Sequence, residues 1–219
     1  MPKRTKEQII QRMNEIGVSK RVCLGNCPMK RVESDGVINE ETRTVPFILI
    51  SDDNSGERYD WWSGEVYIEE LDVDGANFER LRTFFTDHRP SVDNAIGRIE
   101  NARVEGGMLK ADVIFGGDER SKGVFEKYRD GILTDVSIGY RVNDVVITEK
   151  KGEPDHVMVT DYEVVELSAV WRGFDSGASV GRSDKTETND ETEGSQTPEM
   201  DGRCVEVLKR KLKLKEKIA

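Results

Sequence analysis

Near the beginning of the chain, one short segment has apolar residues at helical spacing. These residues are Ile9, Ile10, Met13 and Ile16. Thr5 and Gln8 have the separation of a capping box, which predicts a helix start, and Gly17 predicts the end of that helix. A single short helix is not stable by itself. The sequence therefore leaves two alternatives: the helix docks on the rest of the chain, or it frays.

From about residue 32 the pattern changes to short extended segments rich in β-branched and aromatic residues. Six strands are predicted, at 43–51, 59–71, 95–104, 108–115, 134–146 and 157–171. Glu105–Gly107 predicts the turn of a hairpin, and two helices are predicted at 76–85 and 118–129, the second capped by Asp118. Because strands and helices do not alternate, the pattern favours a β-barrel or α+β domain, mainly β with flanking helices, over a parallel sheet.

Charge divides the chain into segments. The net charge is −10, but residues 1–31 carry +6 and residues 203–219 carry +5, so the part between them carries −21. We expect a basic N-terminal arm at 1–31, a folded domain at 32–182, and a disordered acidic linker at 183–202. The basic tail at 203–219 has an imperfect helical pattern. A body this acidic argues against a specific nucleic-acid partner, because it would repel phosphates.

Composition excludes several further classes of protein. Hydrophobic residues make up 36% of the chain and charged residues 35%, and no apolar run reaches the ~18–20 residues of a membrane span. The basic N-terminus is not followed by an apolar segment, so we expect no secretory signal and no membrane partner. Cys23 and Cys27 form a C-x3-C pair, but the chain has no second cysteine pair, Cys204 lies beyond the acidic segment, and histidines are scarce, which argues against a four-ligand structural zinc site. No Walker-type glycine loop is present. We therefore expect neither a metal nor a cofactor, and a reducing compartment.

Three side chains on separate segments could act together in catalysis. The chain has two histidines, His88 and His156. A serine hydroxyl needs an adjacent base, most often histidine, and that base needs a third group to orient it. Ser137 lies in a β-branched strand segment, and Glu166 interrupts an apolar strand, where a carboxylate needs a partner. Each residue by itself has an ordinary structural interpretation; the combination suggests a nucleophile, a base and an acid.

The motifs around these residues resemble those of the prohead maturation proteases of tailed bacteriophages, whose fold is similar to that of the herpesvirus assembly proteases. They read TDHRP at 86–90, IGRIE at 96–100, GGMLKADVIF at 106–115, KYRDGILTDVSIGY at 127–140 and EVVELSAV at 163–170. The resemblance covers about half of the chain and keeps the order of the motifs. It departs at 170–179, where VWRGFDSGAS replaces the family's proline-rich segment.

The resemblance implies an antiparallel β-barrel core and a serine endopeptidase with His88 as base, Ser137 as nucleophile and Glu166 as third member. His156 is the alternative third member, since the herpesvirus relatives use a second histidine there. The implied substrates are scaffold or delta-domain segments of the major capsid protein, and the chain itself, inside the immature capsid in the host cytoplasm. Homo-oligomerisation stays open. The alternative function is a non-catalytic capsid assembly protein of the same fold.

Overall fold

The structure, a computed structural model, describes residues 5–15, 37–60, 64–149, 151–175 and 177–180, and it is mainly β. The helices are α1 (Lys6–Glu15) and α2 (Glu119–Arg129). The strands are β1 (Thr44–Ile50), β2 (Gly56–Asp60), β3 (Glu65–Leu71), β4 (Ala76–Asn77), β5 (Thr83–Thr86), β6 (Gly97–Glu105), β7 (Met108–Phe115), β8 (Val136–Thr148) and β9 (Asp155–Ala169). None of the described helices is long and apolar enough to cross a membrane.

β9 organises the sheet, because both of its edges are paired. β8 runs antiparallel along one edge for almost the whole length of β9. Along the other edge β3, β4 and β5 follow one another, each parallel to β9. The sheet is therefore mixed, and the antiparallel core that the resemblance implies is not found at these three strands.

The other half of the sheet continues from β5 through β6 and β7 to β1. β6 and β7 form the predicted hairpin, and its turn uses Gly106 and Gly107 at φ 62° and 74°, where glycine avoids the steric cost of a side chain. Residues 177–180 then bridge β1 to the start of β8, since Ser179 accepts from the Ile48 amide at 2.9 Å and Ala178 from the Val136 amide at 3.2 Å. The sheet as a whole is curled into a half-barrel.

The core lies inside this curled sheet and under α2. It contains a cluster of fully buried rings, in which Phe84 packs at 5.7 Å from Phe47 and at 5.5 Å from Phe115 between centroids. Tyr128 of α2 joins the same cluster at 5.1 Å from Phe47. Asp118 caps α2 as predicted, since its carboxylate accepts from the Ser121 amide at 3.0 Å.

The predicted helix at 76–85 was wrong. This segment contains β4 and β5, separated by a turn, and it follows a 3-10 turn at Val73–Gly75. Phe84 is fully buried, and β5 pairs with both β6 and β9. The apolar residues that suggested a helix face are therefore buried by sheet pairing, which local spacing does not reveal.

The N-terminal helix docks on β8, which decides between the two alternatives left by the sequence. The Asn14 amide bonds twice to the edge of β8, donating to the Val142 carbonyl at 2.9 Å and accepting from the Val142 amide at 2.9 Å. Lys6 forms an ion pair with Asp144. The predicted capping box is present, because the Thr5 amide donates to Gln8 Oε1 at 3.1 Å. The predictions for Ile16, Gly17, the cysteines, the acidic linker and the basic tail lie outside the described residues.

Candidate active site

Ser137 lies on the outer face of the curled sheet, near the start of β8. Its neighbours Val136 and Ile138 belong to the core, so the side chain between them points to the opposite face. The register pairs Ser137 with Ser168 of β9. Directly opposed residues of an antiparallel pair share a face, with Cβ atoms about 4.5–5.5 Å apart. Ser137 is 6% exposed, and thus largely covered.

Glu166 shares this outer face, two residues before Ser168 on β9. Its side chain is 1% exposed, and Oε1 lies 2.9 Å from Nδ1 of His88. The same oxygen accepts a hydrogen bond from Ser168 Oγ at 2.5 Å. The second oxygen, Oε2, is buried and has no hydrogen-bond partner among the described residues. Both hydrogen bonds to this carboxylate thus converge on one oxygen.

His88 is held beside Glu166 by an unusual backbone conformation after β5. Asp87 and His88 have φ of 54° and 52°, a left-handed region that costs a non-glycine residue about 1–3 kcal/mol. The surroundings stabilise it, since the Asp87 amide donates to the Ala169 carbonyl at 2.9 Å. The Arg120 guanidinium on α2 donates to Thr86 Oγ1 at 3.0 Å. The turn that presents the imidazole is therefore tied to β9 and to α2.

The contact with Glu166 selects a tautomer of His88. An ionised carboxylate only accepts hydrogen bonds, so Nδ1 of His88 carries the proton in this arrangement. Nε2 of the neutral ring is then free of a proton and can act as a base. The His88 side chain is 13% exposed, so the ring is only partly accessible to solvent.

The structure brings His88 and Glu166 into contact, and it places Ser137 on the adjacent strand. No hydrogen bond joins Ser137 to His88 among the described residues. His156 lies at the start of β9, ten residues and about 33 Å of extended strand from Glu166, where its Nε2 contacts Glu70 Oε2 at 2.7 Å. His156 is therefore not part of this site.

Two residues of the site received no role from sequence reasoning. Ser168 lies in the EVVELSAV motif, and this motif is the sequence feature that could have indicated it. No sequence feature indicates Arg120, because its contact with Thr86 joins residues that are 34 positions apart. Within the described ranges, no group of three or more His, Cys, Asp or Glu side chains could hold a metal ion.

The segment at 170–179, where the family resemblance departs, contains a partly buried carboxylate near Ser137. Burial raises the pKa of Asp175, although hydrogen bonds from Ser51 and Gly177 act in the opposite direction. Asp175 accepts from the Ser51 amide and hydroxyl, both at 2.6 Å. Asp175 and Ser137 line the same small cavity, together with Phe174. Phe174 and Asp175, in the described part of this segment, thus lie beside Ser137.

Fold and site together define a mainly β protein in which a buried carboxylate contacts a partly exposed histidine, with a serine on the adjacent strand. A stretch of 115 residues, 52% of this chain, is 28% identical to the protein named "Major capsid protein" of Halomonas phage phiHAP-1 (isolate -/Gulf of Mexico/-/2001), of which it covers 19%. The chain thus has distant similarity to a phage capsid protein and spans about a fifth of its length. No protein-family model matches the chain. No solved structure matches it either.

Proposed function

We propose that this chain is a serine endopeptidase that processes capsid or scaffold protein during phage head assembly. The observation that carries the proposal is the 2.9 Å hydrogen bond between His88 and the buried Glu166, on the sheet face that also carries Ser137. A carboxylate that orients a histidine near a serine is the arrangement that activates a hydroxyl for acyl transfer.

In the proposed reaction, Ser137 Oγ attacks the carbonyl carbon of a peptide bond while Nε2 of His88 takes the hydroxyl proton. The C–N bond then breaks, and His88 returns that proton to the leaving amine. Water attacks the acyl-enzyme, giving one proton to His88, which passes it back to Ser137 Oγ as the carboxylic acid leaves. Glu166 stabilises the imidazolium at each transfer.

Ser137 and His88 must come into hydrogen-bond reach for this reaction. Catalytic hydrogen bonds are often long or misaligned in a free enzyme and tighten when substrate binds. The two residues flank β9, since Ser137 opposes Ser168 on one side and the segment before His88 pairs with Ala169 on the other. A peptide seated over this end of β9 would contact both.

The capsid substrate is supported by the similarity to the phage major capsid protein. A capsid-associated enzyme would act inside the immature shell in the host cytoplasm. The acidic segment 183–202, with seven acids and one lysine between residues 183 and 201, is our proposed self-cleavage region. Sequences rich in small and polar residues are preferred sites of proteolytic nicking.

A second candidate is a non-catalytic capsid assembly protein of the same fold. One observation favours it: the matched relative carries a capsid name. In this case the basic segments 1–31 and 203–219 would attach the chain to an acidic partner, and Ser137 would have no chemical role.

The test is covalent labelling of the purified full chain with a fluorophosphonate probe, followed by mass spectrometry. We expect the phosphonyl group on Ser137, with fluoride leaving and the hydroxyl proton passing to His88. Ser137→Ala should abolish labelling, and His88→Ala should reduce it to a slow residual rate. The control is Ser121→Ala, which removes the hydroxyl of a different buried serine, one that donates to the Asp118 carboxylate. Intact mass should also show a cut within residues 183–202 in the wild type and none in Ser137→Ala.

Co-production with the capsid protein separates the two candidates. Loss of capsid processing in Ser137→Ala, with normal incorporation of the chain into shells, supports the peptidase. Unchanged processing, together with no labelling of Ser137, overturns it in favour of the assembly protein.

A further inference from the structure

We infer that Ser168 is a positioning residue of the proposed catalytic site, acting through Glu166 on the tautomer and orientation of His88. The catalytic part of this inference rests on the proposed function, whereas the hydrogen-bond arrangement can be tested without any activity. The role would add a fourth side chain to the serine, histidine and acid.

The first support is the small number of hydrogen-bond donors around the buried Glu166 carboxylate. Glu166 is 1% exposed, and its Oε2 has no partner among the described residues. Its two described hydrogen bonds come from His88 and Ser168, and both end on Oε1. A buried anion is stable only when donors surround it. Ser168 therefore supplies the second of two donors, and the sole one besides the base itself within the described residues.

The second support is the position of Ser168. Its side chain is 0% exposed, on the face opposite the core residues Leu167 and Ala169. A buried hydroxyl normally has a partner, and here Glu166 Oε1 is that partner at 2.5 Å. Because β9 holds both residues on one rigid strand face, the Ser168 hydroxyl determines which carboxylate oxygen faces His88.

This geometry assigns a specific effect to the hydroxyl. With Ser168 in place, the charge on Oε1 is held where Nδ1 of His88 donates to it. Without it, the carboxylate keeps one donor and can rotate Oε1 away, or accept a proton and present a donor to Nδ1. Either change disturbs the tautomer that leaves Nε2 as the base. Since hydrogen bonds to charged groups are strong, we expect Ser168→Ala to slow fluorophosphonate labelling of Ser137 roughly ten- to hundred-fold.

The decisive measurement is NMR of the full chain labelled with 15N-histidine. The chain has two histidines, so His156→Asn assigns the signals of the other ring. We expect a protected Nδ1–H resonance from His88 in the wild type. Ser168→Ala should shift it and increase its exchange with water. Ser168→Thr, which retains the hydroxyl, should restore both the resonance and the labelling rate to within about threefold of the wild type.

Ser121→Ala is the matched control. Ser121 is also 0% exposed and donates from Oγ to the Asp118 carboxylate at 2.5 Å, but in the cap of α2. It should lower thermal stability without changing the His88 resonance. An unchanged resonance and labelling rate in Ser168→Ala would overturn the inference, as would an equal effect of Ser121→Ala. If the wild type is not labelled at all, the proposed function fails. The resonance then still decides whether Ser168 positions His88.

Discussion

Replacement of Glu166 by glutamine tests how much the negative charge contributes beyond the hydrogen bonds. Glutamine has nearly the same shape, and its amide oxygen can still accept from His88 and Ser168 in place of Oε1. The variant therefore removes the charge while retaining the geometry. The proposed mechanism needs that charge when His88 becomes an imidazolium, so the variant should fold and react slowly.

The magnitude follows from the two hydrogen bonds that end on Oε1. A hydrogen bond to a charged group contributes about 1.5–3 kcal/mol and a neutral one about 0.5–1.5 kcal/mol, so the change loses about 1–1.5 kcal/mol per bond. Two such bonds give about 2–3 kcal/mol, which corresponds to a roughly 30- to 150-fold slower reaction. The folded state should lose less, because Oε2, which is buried and has no partner in the described part of the chain, no longer shares a full negative charge.

The assay is the second-order rate of fluorophosphonate labelling at Ser137, measured for Glu166→Gln, His88→Ala and the double variant. Residues that act as one unit give non-additive losses. Once His88 is absent, Glu166→Gln should slow the residual reaction by less than about threefold. Labelling of Glu166→Gln within about threefold of the wild type would refute the role of the charge. Multiplicative effects in the double variant would refute the coupling to His88.

Three further predictions concern the fold around the site. Asn14→Ala should lower the free energy of opening of α1 by about 1–3 kcal/mol, because it removes both hydrogen bonds to the Val142 backbone; unchanged hydrogen exchange across residues 5–15 would contradict this. Phe84→Ala should cost about 3–5 kcal/mol in denaturant unfolding, since the ring is 0% exposed; a loss below about 1.5 kcal/mol would contradict its place in the core. Burial raises the pKa of Asp175 above its ordinary 3.8, so this residue favours folding at low pH, and that stability is lost as the pH rises through the raised pKa. Measured from about pH 3 to 7, the wild type should therefore lose unfolding free energy relative to Asp175→Asn as the pH rises, and a constant difference would contradict the raised pKa.

Local signals in the sequence were sufficient to predict helix caps and turns, whose hydrogen bonds lie within one short segment. The capping box at Thr5 and Gln8, the cap of α2 at Asp118 and the turn at Gly106–Gly107 were all predicted, and the structure contains each of them. Their hydrogen bonds join residues at most a few positions apart. Residue type and spacing are therefore nearly sufficient to explain why these caps and this turn form.

Strand pairing between distant segments could not be predicted from local patterns. The segment 76–85 has an apolar pattern compatible with a helix, yet it forms β4 and β5 because β9 offers an open edge there. The parallel pairs of β9 with β3, β4 and β5 depend on which distant segment reaches that edge. The entropy lost on closing such loops and the free energy gained by burying apolar side chains depend on the whole fold. A short stretch of sequence therefore does not predict either of them.

By itself the sequence determined that the protein is mainly β, and it nominated Ser137, His88 and two alternative partners for the base. Only the tertiary structure shows which of the two contacts His88, since it places Glu166 against His88 across 78 residues and holds His156 against Glu70. It also places the Ser168 hydroxyl against Oε1 of Glu166. The physical reason is that a side chain's chemistry is encoded locally, whereas the buried neighbours that orient it come from strands brought together by sheet register and core packing.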